Sequence, residues 1–385
     1  MKIGFSNFLI AFFCFISFHA FAGTIQVCSS GCGYASLQAA VNAAAAGDTI
    51  LINIQGALTE SRITISKNLT IRGLGQNNTT VQAHARRNAA AHRVFYITGG
   101  AVVVLENMTI QNGRETADFT NGKGAGGGLL VDGVSTTVSL NNVTIKHCDN
   151  ADPGSRGAGI ALTGNSTSLQ LNNCFFDNNI SNNGGGGGLY LNASAGDCFI
   201  RNSVFKNNIA ANGDGGAALT EGNTSVTFIG CSFTGNQALN NYNGGAVYSD
   251  NAIPAFNNCI FSNNVADREG GAIKTGGADI ANCSFFYNRA TNGGAISRGN
   301  APADQELYIS NCTLLNNAAT GYGPAGAGLH TASPNALVHM MNTVIDKSTT
   351  GDDLYMYTAS SLTTNQENHV GKAKFTTGSA TFASN

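Results

Sequence analysis

The chain has no tryptophan, five prolines in 385 residues, and charged side chains at only 11% of positions. With a net charge of −2 and no basic block, it lacks the electrostatic footprint of a nucleic-acid binder. Beyond the first 22 residues there is no run of about 18 apolar residues, so no membrane-spanning helix is expected. Its glycine-rich runs are not followed by Lys-Ser/Thr, which excludes a phosphate loop. They also lack the regularly spaced aspartate of calcium-binding nonapeptides. A flat outward array of threonines, as an ice-binding face needs, is missing too.

What is present begins with an export signal. Lys2 precedes an apolar stretch at 5–18, and Ala20-Phe21-Ala22 offers small residues for cleavage. Residues 1–22 therefore read as a signal peptide, and the protein as exported: extracellular, periplasmic or on the cell surface. The 49 glycines are not scattered. A small-residue triplet followed by an aliphatic or Ala recurs eight times, with its third residue at 128, 159, 188, 217, 246, 272, 295 and 328. A second motif, Phe-x-x-Asn, alternates with it at Phe176/Asn179, Phe205/Asn208, Phe233/Asn236, Phe261/Asn264 and Phe285/Asn288, with Leu314/Asn317 as a variant. Both series contract and expand together around 29 residues, so each unit carries both motifs and the length changes fall in loops.

Between the motifs, apolar residues alternate with period two, as in Ser168-Leu169-Gln170-Leu171. That is the signature of a strand with one buried face. Gly and Asn clusters turn the chain between strands. Equivalent strands of successive units then pair in parallel about 4.8 Å apart. The expected fold is all-β, a right-handed parallel β-helix of roughly eleven coils and about 50 Å length. Phe176, Phe205, Phe233, Phe261, Phe285 and Leu314 form one inward ladder, and Cys174, Ser203, Cys231, Cys259, Cys283 and Cys312 another. The asparagines form a third, each amide bonding to a neighbouring coil. One helix is expected at 36–46, capped by Ser36, stopped at Gly47, and lying across the open end of the stack. The domain reading is a signal at 1–22, an N-terminal cap at 23–48, the β-helix at 49–345, and a terminal coil and tail at 346–385.

Residues 34–75 (Tyr-Ala-Ser-Leu-Gln-Ala-Ala-Val-Asn, then Gly-Asp-Thr-Ile and Leu-Thr-Ile-Arg-Gly) resemble the opening of pectin-lyase-like β-helix proteins. The alternation of Gly-Gly-Ala-Ile and Phe-x-x-Asn over 126–330 is similar to the repeats of chlamydial polymorphic outer membrane proteins. That resemblance implies a surface-exposed β-helical passenger with an adhesive function. Those proteins end in a translocating barrel. Only about 55 residues follow Leu329 here, so autotransport and a membrane anchor are not expected to carry over.

Nine cysteines remain after the signal, an odd number. Cys28 and Cys32 are expected to pair locally in an exported protein. The ladder cysteines read as buried reduced thiols, their Cβ vectors running parallel rather than toward one another; Cys148 and Cys198 fall outside that register. No metal centre is expected and no cofactor is implied, calcium being the one ion that the acidic loops could take.

Catalysis on an acidic polysaccharide would need converging carboxylates with a basic residue. The loops ahead of the triplets offer Arg114, Glu115 and Asp118; Asp149, Asp152 and Arg156; Asp214; and Asp267, Arg268 and Glu269. Asn182-Asn183 interrupts this series, so the acidic groups are expected not to be contiguous. Asp352-Asp353 lies near the end of the stack, and His84 and His92 flank Arg86-Arg87 in an irregular loop. The polygalacturonase set of Asp, Gly-His-Gly and Arg-x-Lys has no counterpart, nor does the Asp-Pro-His of alginate epimerases. The leading expectation is a binding or adhesin-like β-helix whose ligand is a glycan or cell-surface component, contacted by Tyr242, Arg268, Arg289 and Tyr322. The alternative is a polysaccharide lyase or hydrolase, and a third reading is a structural envelope component.

Overall fold

The computed structural model describes residues 22–116, 125–151, 154–192, 196–222, 224–299, 305–321, 325–332, 334, 336–357, 360–364 and 367–375. Residues 1–21, on which the expected signal peptide falls, and Asp118, Asp152 and Tyr322 lie outside these. Every strand pairing among the described residues is parallel, and the chain winds as a right-handed parallel β-helix. Two sheets, with 23 and 12 described strands, run along the rod, and a third of 8 described strands covers the coils from Arg114 to Ala319.

The largest sheet holds two strand columns joined by a left-handed corner. In one coil these are Ser168–Asn172 and Phe175–Asp177, with Asn173 at φ 53° between them. A second corner, Asn178 at φ 53°, leads into the short strand Ile180–Ser181 of the eight-stranded sheet. Asparagine tolerates that backbone region better than most side chains, which is why it recurs at both corners. The small triplet then returns the chain to Leu189–Leu191 in the twelve-stranded sheet.

Each position of the triplet has its own constraint. Gly271 illustrates the middle one: a Cβ there would lie 2.1 Å from the Gly294 carbonyl oxygen and 2.6 Å from the Arg289 backbone, so glycine gives this coil its close approach, while Ala158 and Ala327 fill the same place in two other coils. The residue before it, Gly270, sits at φ +68°, a conformation that side chains disfavour. The third faces the interior, where a Cβ on Gly188 would meet the Phe205 ring at 3.4 Å.

Inside, like lies on like. Phe176, Phe205, Phe233, Phe261 and Phe285 stack face to face with centroids 4.6–4.9 Å apart. Phe228 and Phe256 of the adjoining column meet them edge-on. Opposite them run Leu189, Ala218, Val247, Ile273 and Ile296, all fully buried. The ladder cysteines are unpaired and buried, and their Sγ atoms reach backbone carbonyls of the preceding coil, as Cys231 does to Ile200 at 3.4 Å. Cys198 stands in the first column between Leu169 and Val226. The Cys148 N–H donates to Asn179 Oδ1, which places this thiol at the head of the asparagine ladder. Burial pushes the Cys148, Cys174 and Cys198 thiols up to about 12.

The asparagine ladder closes its own hydrogen-bond account. Asn208 Nδ2 donates to Asn236 Oδ1 and to the Phe176 carbonyl, each at 3.0 Å. Its Oδ1 accepts from Asn179 N at 3.2 Å and Asn179 Nδ2 at 2.9 Å. The pattern repeats from Asn179 to Asn317 with every amide buried.

A seven-residue helix, Leu37–Ala43, covers the N-terminal end. It is shorter than the expected 36–46, because Asp48 Oδ2 takes the Ala45 N–H at 2.8 Å and Lys67 Nζ takes the Ala44 carbonyl at 2.8 Å. Both contacts draw the chain into the first full coil. Ser36 is the N-cap, and Glu60 accepts from Leu37 N, Gln38 N and Ser36 Oγ at 2.7–2.8 Å. Cys28 and Cys32, just before this helix, form a disulfide. The strand Thr79–Gln82 lies within the largest sheet, and irregular segments at 73–78 and 83–93 flank it. From them Gln76 Nε2 donates to the Asn173 carbonyl (3.1 Å) and Arg87 Nη2 to the Asn178 carbonyl (2.9 Å), three coils further on.

Candidate functional site

Alternation along the twelve-stranded sheet turns one residue per coil outward, immediately after the aliphatic that follows the triplet. Register places Leu130, Ala161, Tyr190, Leu219, Tyr248, Lys274, Ser297, His330 and Tyr355 in one outward column. The loops ahead of the triplets rise beside this column and fold partly over it. Two clefts result. One, of about 220 Å³, is lined by Arg156, Asp214, Leu219, Glu221, Tyr242 and glycines of the flanking loops. The next, of about 300 Å³, is lined by Asn243, Tyr248, Ser249, Arg268, Glu269, Lys274, Thr275 and Gln305. They adjoin where Asp214 Oδ1 accepts from Asn243 N at 2.8 Å and Asn243 Nδ2 at 2.9 Å.

The polar walls are fixed by pairing. Arg156 lies over the Tyr190 ring, 5.2 Å from its centroid, and pairs with Glu221. The Tyr190 hydroxyl donates to Glu221 at 2.8 Å. In the second cleft Lys274 pairs with Glu269, and Ser297 Oγ lies 3.3 Å from both. Burial alone would raise Glu269, but Lys274 beside it holds the carboxyl below its usual range. Burial lowers Lys274 despite that partner. His330, 6% exposed and stacked on Tyr355 at 5.2 Å, is pushed down to about 4 by burial. Burial also raises Asp214 against its hydrogen bonds from Asn243.

Of the residues singled out in the sequence, Arg156, Asp214 and Tyr242 converge in the first cleft, and Arg268 and Glu269 in the second. Asn183 lines the first cleft beside them, and of the loop carboxylates singled out in the sequence Asp214 is the one that lines it among the described residues. Asp267 is exposed and accepts from Asn240 N at 2.7 Å. Arg289 belongs to the eight-stranded sheet, beside Val265 and Ala318, and lines neither cleft. Arg114 pairs with Asp149 at 3.0 Å, and Glu115 is buried against Arg93 and His92. These five groups, with Arg62 3.9 Å from Glu115, form two polar clusters in the N-terminal half of the rod. Asp352 accepts from Lys372 at 2.9 Å, and Asp353 from Ser348 N and Lys372 N, so that pair holds the last coil. Missed were Tyr190, Glu221, Tyr248, Lys274, Ser297 and His330. All but Glu221 occupy the variable position after each triplet-aliphatic motif, a signal present in every repeat. Among the described residues no group of three or more His, Cys, Asp or Glu is arranged to hold a metal ion, and no helix is long and apolar enough to cross a membrane.

With this geometry in place, comparison with known proteins adds the following. Residues 230–250 and 258–276 match the repeat of Chlamydia polymorphic membrane proteins. No curated protein matches the chain in sequence. ORF18 of Geobacillus virus E2 is similar in structure, with TM-score 0.50 and 16% identity over 79% of this chain and 56% of that one. A mannuronic acid specific polysaccharide family 6 lyase from human gut microbiota aligns over 92% of this chain and 83% of that one, at 10% identity and TM-score 0.42. The tailspike protein gp49 of Acinetobacter baumannii bacteriophage Fri1, a capsular polysaccharide depolymerase, aligns over 88% and 56%, at 13% identity and TM-score 0.40. At such identities the likeness is one of fold. The chain spans little more than half the length of the viral ORF18 protein.

Proposed function

We propose that the protein is an exported, surface-associated β-helix that binds a glycan chain along the outward face of its twelve-stranded sheet. The observation that carries this reading is the pair of adjoining clefts on one outward column, with Leu219 on the floor of one, Tyr248 on the floor of the other, and ion-paired side chains around them. A sugar ring presents an apolar face and a rim of hydroxyls. Apolar and aromatic floors pack against the first, and charged groups already held in place hydrogen-bond the second without further ordering. Because the clefts follow each other along the rod axis, they suit a polymer better than a compact metabolite. Glycan-array binding of the purified protein tests the reading. Y248A and R156A are expected to weaken the bound glycan by about tenfold or more, the loss of one well-packed anchor. Unchanged binding by both variants would refute it.

Asp214 favours a second reading, cleavage of the same glycan. A carboxyl raised by burial beside a cleft is a candidate general acid. Chain scission in a panel of neutral and uronic-acid polysaccharides, with and without calcium, and its loss in D214N with binding retained, would establish the enzyme.

A further inference from the structure

Beside the phenylalanine stack, the small interior ladder changes chemistry along the rod. In register it runs Ser203, Cys231, Cys259, Cys283, Cys312 and Thr343. Its side chains accept the backbone N–H of the ladder residue one coil earlier. Ser203 Oγ accepts from Cys174 N at 3.1 Å, Cys283 Sγ from Cys259 N at 3.3 Å, and Thr343 Oγ1 from Cys312 N at 3.4 Å. The Cys231 and Cys283 N–H groups face the Cys259 and Cys312 sulfurs in the same way. A hydroxyl thus meets the backbone's need, and sulfur is the weaker acceptor. Four successive coils nevertheless carry thiols, each 1–2% exposed. These thiols donate to carbonyl oxygens of the preceding coil at 3.4–3.7 Å.

A row of sulfurs one strand repeat apart, with backbone N–H groups to support thiolates and carbonyl oxygens to face a cation, suits a soft monovalent ion. We propose that the run Cys231, Cys259, Cys283 and Cys312 binds thiophilic cations, copper(I) or silver(I), in two-coordinate sites between neighbouring coils. Two metal–thiolate bonds of about 2.3 Å in line span about 4.6 Å, close to the ~4.8 Å between parallel strands. Soft thiolate ligands select such ions over harder ones. Each site takes two sulfurs, fewer than the three-ligand clusters that the described residues lack. With an ion in each of the three gaps, the four thiol protons leave and one net negative charge remains, held against the N–H donors. Cys174 has no thiol neighbour in the ladder, because Ser203 follows it. The ladder is sealed inside the stack, so the ions enter as the coils close during folding. The proposal is independent of the groove.

The test is refolding of the full chain from denaturant with silver(I) alone, then desalting against a thioether, which strips singly held ions, and native mass spectrometry. Wild-type protein is expected to retain one ion for each gap between adjacent ladder thiols. C312S removes one gap, C283S leaves only that between Cys231 and Cys259, and C259S/C283S leaves none, so the count should fall in that order to zero. C174S should retain as many ions as wild type. Serine already occupies this position at Ser203, and circular dichroism checks the fold of each variant; C312S and C283S carry the test should the double variant not fold. Retained silver should raise the wild-type melting temperature by about 5 °C or more. A wild type that retains no silver overturns the proposal, as does a count unchanged in C283S or a melting temperature that retained silver does not raise. Loss of ions in C174S overturns the assignment to the uninterrupted run.

Discussion

At the scale of single residues, the interior is specified by polar groups as firmly as by apolar ones. Asn208 satisfies two donors and two acceptor positions within a dry column. Replacing it with alanine strands the Asn179 amide and the Phe176 carbonyl, and each orphaned buried group costs about 1–3 kcal/mol. N208A is therefore expected to lose at least about 2 kcal/mol in urea unfolding, and more than a substitution at an exposed corner asparagine such as Asn202. His330 sets a pH dependence. Burial holds its pKa in the fold at about 4, below the ordinary 6.5 of a histidine, so the unfolded chain takes up a proton between those values and the folded chain does not. Stability contributed by neutral His330 is complete above about pH 6.5 and falls by up to about 3 kcal/mol as the pH drops toward 4. Burial raises Asp149 to about 6, which acts in the opposite sense over part of that range. The measurement is accordingly the difference in melting temperature between wild type and H330Q at pH 7 and pH 4.5. It should move in favour of the variant at the lower pH.

At the scale of elements, the strands and their ladders were legible because one pattern is written many times. The repeated Phe-x-x-Asn shows that Phe205 and Phe233 occupy equivalent places, and the structure stacks them 4.9 Å apart. The helix was legible in kind but not in length, since the contacts that end it come from Asp48 and Lys67, downstream of its own periodicity. The candidate site was half legible. Loop charges such as Arg156 and Asp214 announce themselves as departures from an uncharged background. Tyr190 and Lys274 do not, because a residue that changes from repeat to repeat reads as noise until register places it in an outward column. The helix also yields a prediction. Glu60 accepts from two N–H groups of its first turn and from the cap hydroxyl. E60A should destabilise the end of the rod by about 1–2 kcal/mol, the range of a lost cap with its dipole contribution. Faster hydrogen exchange at Leu37 and Gln38, with the Phe-ladder coils unaffected, would report it.

At the scale of the whole molecule, the rod is close to one-dimensional: each coil touches its neighbours, and stability is a sum of coil and interface terms. Such a stack frays from its ends unless something joins distant coils. The segment carrying Gln76 and Arg87 does so, passing over two coils to reach the carbonyls of Asn173 and Asn178 in the third. The consequence is mechanical. Pulled by its two termini, a simple solenoid peels coil by coil at a low, even force. Here the four coils between residues 69 and 191 are clasped into one block that should hold and then give way in a single step. In force spectroscopy, a Q76A/R87A double variant should replace that step with a staircase of smaller ones. A surface rod gripping a polymer while being tugged by its other end would keep its grip longer for having such a buckle.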